Sequence, residues 1–153
     1  DRCIVVSPSE DALALATSLG THTVEEAAGA GLNEADGLAA GMATARGATR
    51  ALILVSDLPY VSKAAIDGFL QAAQNSDWIV LAADHLSRGT NAIVLAVPSQ
   101  FRFRFGPSSL AKHREEAIRI GAGLVVHRDR DLARDLDTAE DLAQWQASLS
   151  NTR

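Results

Sequence analysis

Ala51-Leu52-Ile53-Leu54-Val55-Ser56-Asp57-Leu58-Pro59 is the stretch that decides the fold. Its first five residues are apolar without alternation, as a strand buried on both faces of a parallel sheet requires. The run then breaks into a polar Ser-Asp pair and a proline. Pro59 fixes its own backbone dihedral and biases Leu58 toward an extended conformation. Asp57 is therefore expected at the carboxyl tip of a central strand, where open α/β sheets bind their ligands.

Outward from this run, short apolar stretches alternate with segments of helical spacing. Residues 3–6, 78–82, 92–97 and 124–126 read as strands, and 21–25 as a short extended piece. Ser9-Glu10-Asp11 opens a helix that carries Leu13, Ala16 and Leu19, and Gly20 stops it. After the turn Gly29-Ala30-Gly31, a stripe of Leu32, Ala35, Leu38, Ala39 and Met42 marks a second helix. Further helices are predicted over 63–74, 109–120 and 138–149. In the last, Thr138 and Asp141 have the spacing of a capping box, each side chain satisfying the other's free amide. Phe101 to Gly106 alternates phenylalanine with arginine, which suits either a half-exposed strand or a crossing loop. Strand-helix alternation of this kind predicts one α/β domain over residues 1–153 with a mostly parallel sheet.

Composition narrows the function. A chain of 153 residues is long enough to bury a real core. The net charge is −5, and the basic residues form no stripe, which argues against nucleic acid as a partner. No apolar run approaches the roughly 20 residues of a membrane span, and the start of the chain lacks signal-peptide character. Cys3 is the sole cysteine, so a reducing, cytoplasmic setting is expected.

Two acidic groups fall where chemistry is expected. Asp57 is one; Asp135-Leu136-Asp137 is the other, and in an extended segment its two carboxylates share a face. Three carboxylates brought together would repel one another unless a hard cation neutralised them, and Mg²⁺ suits such oxygen donors. Taken singly, each group reads at least as well as a turn, a helix cap or surface charge. Gly106-Pro107-Ser108-Ser109 precedes a helix, so a serine there can cap it while the first amides face an anion. Thr90, beside Gly89 and Asn91, adds a hydroxyl at a strand entrance; plain turn chemistry is the competing reading. Gly31-Leu32-Asn33 stands at another helix start, with Asn33 able to read a nucleotide or only to cap. His22, His85 and His127 lack metal-ligand spacing and receive no role. A Ser/His/Asp hydrolase is unsupported, since no G-x-S-x-G elbow is present.

In order along the chain, Gly31-Leu32-Asn33, Ser56-Asp57-Leu58-Pro59, Gly89-Thr90-Asn91-Ala92, Phe105-Gly106-Pro107-Ser108-Ser109 with His113, and Leu136-Asp137-Thr138-Ala139-Glu140-Asp141-Leu142 resemble the guanylyltransferase family of coenzyme F420 biosynthesis, known as CofC or FbiD. The resemblance implies a three-layer α/β/α sandwich, Rossmann-like, of the GT-A or MobA-like nucleotidyltransferase type. It implies transfer of GMP from GTP to the phosphate of phosphoenolpyruvate, 2-phospho-L-lactate or 3-phospho-D-glycerate, with pyrophosphate released. Carried over by motif, Asp57, Asp135 and Asp137 would hold Mg²⁺, and Thr90, Gly106 and Ser109 the phosphorylated acid. Gly31, Leu32 and Asn33 would lie near the guanine nucleotide, and a homodimer is a possible assembly. The family's leading strand and basic loop of Lys-x-x-x-Lys-Ser-Arg-Leu character have no counterpart here. The chain opens on what resembles the second strand, so N-terminal truncation and an edge or gap in the sheet are expected. Two alternatives stand beside this reading: a MobA-like nucleotidyltransferase with another phosphorylated acceptor, and a non-catalytic remnant that binds phospho-acid only.

Overall fold

The computed structural model describes residues 3–27, 29, 31–74 and 78–150. Its elements run β1 (Ile4–Ser7), α1 (Glu10–Ser18), β2 (His22–Glu25), α2 (Leu32–Ala45), β3 (Arg50–Leu54), α3 (Lys63–Ala72), β4 (Trp78–Ala83), β5 (Thr90–Ala96), α4 (Ser109–Arg119), β6 (Gly123–His127) and α5 (Ala139–Ser150). Ala30, in the expected turn before α2, lies outside the described residues.

Local signals set most of these boundaries. The Ser9 hydroxyl accepts from Ala12 N–H at the start of α1, and Ser62 does the same for Ala65 at the start of α3. Gly20 takes the left-handed conformation just past α1, with φ of 78°. The capping box forms at α5: Thr138 N–H donates to the Asp141 carboxylate, and Asp141 N–H to the Thr138 hydroxyl. Phe101 to Gly106 is a crossing loop. Phe101 and Phe103 are buried, while Arg102 and Arg104 face outward.

Four strands form one sheet in the order β3-β5-β4-β6. β4 and β6 are parallel, but β5 runs antiparallel to both of its neighbours. The expectation of a mostly parallel sheet is corrected to that extent. A buried apolar strand looks the same in either direction, so residues 92–97 carried no sign of the reversal. β1 and β2 form a separate parallel pair. Among the described residues β1 and β3 are thus each paired with a strand on one side only, and α2 packs against both.

Alternate residues of the central strands divide the core into two. Ile79, Leu81, Ile93 and Leu95 point to one face, where Phe101, Leu110 and Ala117 cover them. Val80, Ala82, Ala92 and Val94 point to the other, against Ala65, Phe69, Ala73 and Leu132. Helix α4 therefore lies on one face and α3 on the opposite one, giving the three layers expected. Phe69 and Leu132 are wholly buried in the second cluster.

One buried group is out of keeping with this apolar interior. Asp36 on α2 is 9% exposed, and its Oδ2 finds no hydrogen-bond partner among the described residues. Burial, and then the charge of Glu26, push its pKa up to about 7.

Two outcomes follow for stability. Phe69→Ala should lose about 3–5 kcal/mol in urea denaturation, since the close-packed site cannot collapse on the void. Asp36 is raised above its unfolded value, so its contribution is complete below the unfolded pKa of 3.8 and is lost as pH rises through about 7. Asp36→Asn should accordingly gain stability over the parent at pH 8, by a few kcal/mol at most, with a smaller gain at pH 5. An equal difference at the two pH values would refute the burial of this charge.

Candidate active site

The reversal of β5 determines where the polar residues meet. Because β5 runs against β3 and β4, its first residues lie at the carboxyl ends of both. Thr90 pairs with Ala83, and Val55 N–H donates to Asn91 O at 3.1 Å just beyond the β3 ladder. Asp57, two residues further on, thus shares an edge with Thr90. Asn91 is buried, and its amide donates to Leu132 O at 3.1 Å, which draws the segment after β6 to the same edge. A bond of 3.0 Å from Leu136 N–H to Asp57 O then holds the two acidic loops side by side.

Asp57, Asp135 and Asp137 are therefore neighbours, and their electrostatics show it. The Asp57 carboxyl is held above its ordinary pKa, first by burial and then by the charge of Asp137. Asp135 is raised as well, again by burial first, then by Asp137, Asp57 and Asp84. Among the described residues, however, no three acidic, histidine or cysteine side chains already converge at metal-ligand geometry. The carboxylates are close enough to repel and are not arranged as a finished cage.

Thr90, Gly106 and Ser109 are also brought together. Thr90 N–H donates to Ser109 Oγ at 2.9 Å, and Ser109 N–H to Gly106 O at 3.0 Å. Thr90 and Ser109 are almost fully buried. Two details differ from expectation. No serine side chain caps α4: Ser108 occupies the cap position in a left-handed conformation, and the Ser109 hydroxyl turns to Thr90 instead. The Ser109 and Leu110 amides are already bonded, the latter to Arg88 O at 3.1 Å, so they are not free to face an anion. Of these groups, the hydroxyls rather than those two amides are the ones left to donate to a ligand.

The loop before α4 is held almost entirely by side chains. Arg102 N–H donates to Glu116 Oε1 at 3.0 Å and Arg104 N–H to His113 Nε2 at 2.8 Å, both on α4. Phe105 N–H donates to Asn33 Oδ1 at 2.6 Å, and the Asn33 amide returns a bond to Phe105 O. Asn33 therefore ties the start of α2 to the loop before α4 and does not cap its helix. Gly31 stands at that cap with φ of 83°, its N–H bonded to Glu26, and Leu32 is half-exposed beside it.

Several residues at this edge gave no signal in the sequence. A cavity of about 330 Å³ opens beside Asp135, lined also by Tyr60, His85, Arg134, Asp141 and Gln144. The Arg134 guanidinium lies over the Tyr60 ring at 5.0 Å from its centre. His85, given no role from spacing, places Nδ1 3.9 Å from Asp135 Oδ1. The Asp84 carboxylate accepts from the Arg88 and Gly89 amides at 2.8 Å each. A side chain at position 89 would meet that carboxylate at 2.9 Å and displace it from the two amides it accepts from.

Comparison with known proteins places the chain in a family. The family model described as "Guanylyl transferase CofC like" matches residues 1–147. The chain is 36% identical over 147 residues to a phosphoenolpyruvate guanylyltransferase of Rubrobacter xylanophilus, covering 96% of this chain and 71% of the relative. It is 35% identical over 144 residues to a 2-phospho-L-lactate guanylyltransferase of Methanothermobacter thermautotrophicus, covering 94% of this chain and 63% of that one. A crystal structure of a putative nucleotide-diphospho-sugar transferase from Desulfovibrio desulfuricans superposes with a TM-score of 0.68 over 91% of this chain and 62% of its own, at 17% identity, a likeness of fold alone. The sequence motifs, the three-layer fold and these matches agree: the chain belongs to the CofC-like guanylyl transferase family.

Proposed function

We propose that this chain is a GTP-dependent guanylyltransferase of coenzyme F420 biosynthesis. GMP passes from GTP to the phosphate of a three-carbon acid: phosphoenolpyruvate, 2-phospho-L-lactate or 3-phospho-D-glycerate. The observation that carries the reading is a shared edge: Asp57, Asp135 and Asp137 stand together at the carboxyl ends of the strands, beside the Thr90–Ser109 hydroxyl pair. Names of relatives support two of the three acids, phosphoenolpyruvate and 2-phospho-L-lactate.

The donor set fits Mg²⁺. All three side chains are carboxylates, their mutual charge raises the pKa of two of them, and neither pKa is lowered by a neighbouring basic side chain. Asp57, Asp135 and Asp137 would hold the ion, which supplies positive charge against the anionic reactants and the departing pyrophosphate. The rest falls to the chain's own groups. Thr90 and Ser109 hold the acceptor phosphate by hydroxyl hydrogen bonds, with Gly106 allowing close approach of the backbone. That phosphate is already an anion, so no protein base has to activate it. One of its oxygens forms a bond to the α-phosphorus of GTP, the bond from that phosphorus to the β-phosphate bridging oxygen breaks, and pyrophosphate leaves. Positioning and charge compensation account for such a reaction without a covalent intermediate. Gly31 and Leu32, at the exposed start of α2, border the nucleotide. The setting is cytoplasmic, in keeping with a lone free cysteine and with no described helix long and apolar enough to cross a membrane.

A coupled pyrophosphate assay on the full protein tests this. GTP with phosphoenolpyruvate or 2-phospho-L-lactate should release pyrophosphate, a chelator should abolish the release, and Mg²⁺ should restore it. Asp57→Asn should lower kcat/KM by about a hundredfold or more. No release with any of the three acids would reject the proposal.

A further inference from the structure

His113 has no exposed surface, and both of its ring nitrogens are engaged. Nε2 receives the Arg104 backbone N–H at 2.8 Å, so that nitrogen must be the unprotonated one. A neutral imidazole carries its single proton on the other nitrogen. Nδ1 lies 3.0 Å from Thr90 Oγ1, and with Nδ1 protonated the hydroxyl oxygen must be the acceptor of that bond. The proton on Thr90 Oγ1 then has no acceptor among the described residues. The same holds for Ser109, whose Oγ accepts from Thr90 N–H and donates to nothing described. Two adjacent buried hydroxyls, 4% and 3% exposed, thus each hold one unused donor, an arrangement that folded proteins rarely leave unmet.

We infer that His113 is a positioning residue that fixes the direction of the Thr90 hydroxyl, so that its proton is offered to the anionic acceptor and its lone pair is turned away. The inference rests on the reading of Thr90 as part of the phospho-acid cradle and adds a residue that the motif alone gave no task. A freely rotating hydroxyl would present a lone pair to an anion in some of its orientations. A fixed donor does not, and it needs no reorganisation when the anion arrives. The surroundings keep the ring in the required form. Phe101 and Phe105 pack against it with ring centres 5.5 and 4.9 Å away. Burial, then the charges of Arg104 and Lys112, push its pKa down to about 4, although Glu116 acts in the opposite sense, so the ring stays neutral at working pH. The same ring also anchors the loop that leads to Gly106 through Arg104 N–H. One side chain therefore aligns both walls of the cradle.

A double-mutant cycle on the full protein separates this from a merely structural role. His113→Asn keeps an amide donor near the Nδ1 position, whereas His113→Gln keeps an acceptor near Nε2 and loses the donor. His113→Gln should raise KM for phosphoenolpyruvate about tenfold, the loss of one directed hydrogen bond to a charged group, and leave KM for GTP unchanged. His113→Asn, which keeps that donor but gives up the acceptor for Arg104 N–H, should recover part of that loss. In a Thr90→Val background, His113→Gln, which keeps the acceptor, should not raise KM for the acid further. An equal effect of His113→Gln with and without the Thr90 hydroxyl would overturn the inference while leaving guanylyl transfer intact. Nitrogen-15 NMR of the unliganded parent provides a readout independent of turnover and of variant folding: a proton found on Nε2 would also overturn it. If the parent releases no pyrophosphate, the proposed reaction fails, and calorimetric binding of phosphoenolpyruvate to the same variants decides the role of His113. Absence of binding to the parent counts against that role.

Discussion

Everything at the candidate site depends on one strand running backwards. β5 lies between β3 and β4 and is antiparallel to both, which is the only way its first residue can sit at their carboxyl ends. Parallel strands send their beginnings to the far edge of a sheet. Reversal sends Thr90 to the edge where Asp57 and the acidic segment after β6 already stand. The two interior faces tolerate this because β5 is apolar on both sides, with Ile93 and Leu95 in one cluster and Ala92 and Val94 in the other. The core fixes the strand; the strand fixes the chemistry.

Held against that edge is a loop with almost no backbone partners of its own. Residues 101–105 join no strand ladder, and the Arg102, Arg104 and Phe105 amides find Glu116, His113 and Asn33 instead. Alternation of phenylalanine and arginine makes this workable, because the rings enter the core and the guanidinium groups stay in water. Side chains are costly to order compared with a strand ladder. In return, the loop's position is tied to particular residues on α2 and α4, so the cradle is coupled to two helices at once.

Much of this was legible in the sequence, and the failures have physical causes. The strands and helices were readable because their apolar spacing is regular and their caps are local: Ser9, Gly20 and the Thr138–Asp141 pair each act within one turn. The grouping of Asp57 with Asp135 and Asp137 was expected from motif order, and the bond between Leu136 and Asp57 brings the segments together. The direction of β5 was hidden, since hydrophobicity carries no polarity. So was the fate of Asn33 and Ser109, whose side chains bond partners 72 and 19 residues away rather than their own helix ends. His85, Tyr60 and Arg134 meet only through tertiary folding, and no spacing rule reaches that far.

Two buried ionisable groups, Asp36 on α2 and His113 on α4, titrate abnormally in opposite senses. Between about pH 4 and 6.5 the folded chain holds a proton on Asp36 that the unfolded chain releases, and lacks one on His113 that the unfolded chain binds. Uptake at one site offsets release at the other, so these two groups together leave the folding equilibrium nearly indifferent to acidity across that range. A buried acid and a buried base on separate helices can thus cancel each other's pH dependence without an ion pair between them.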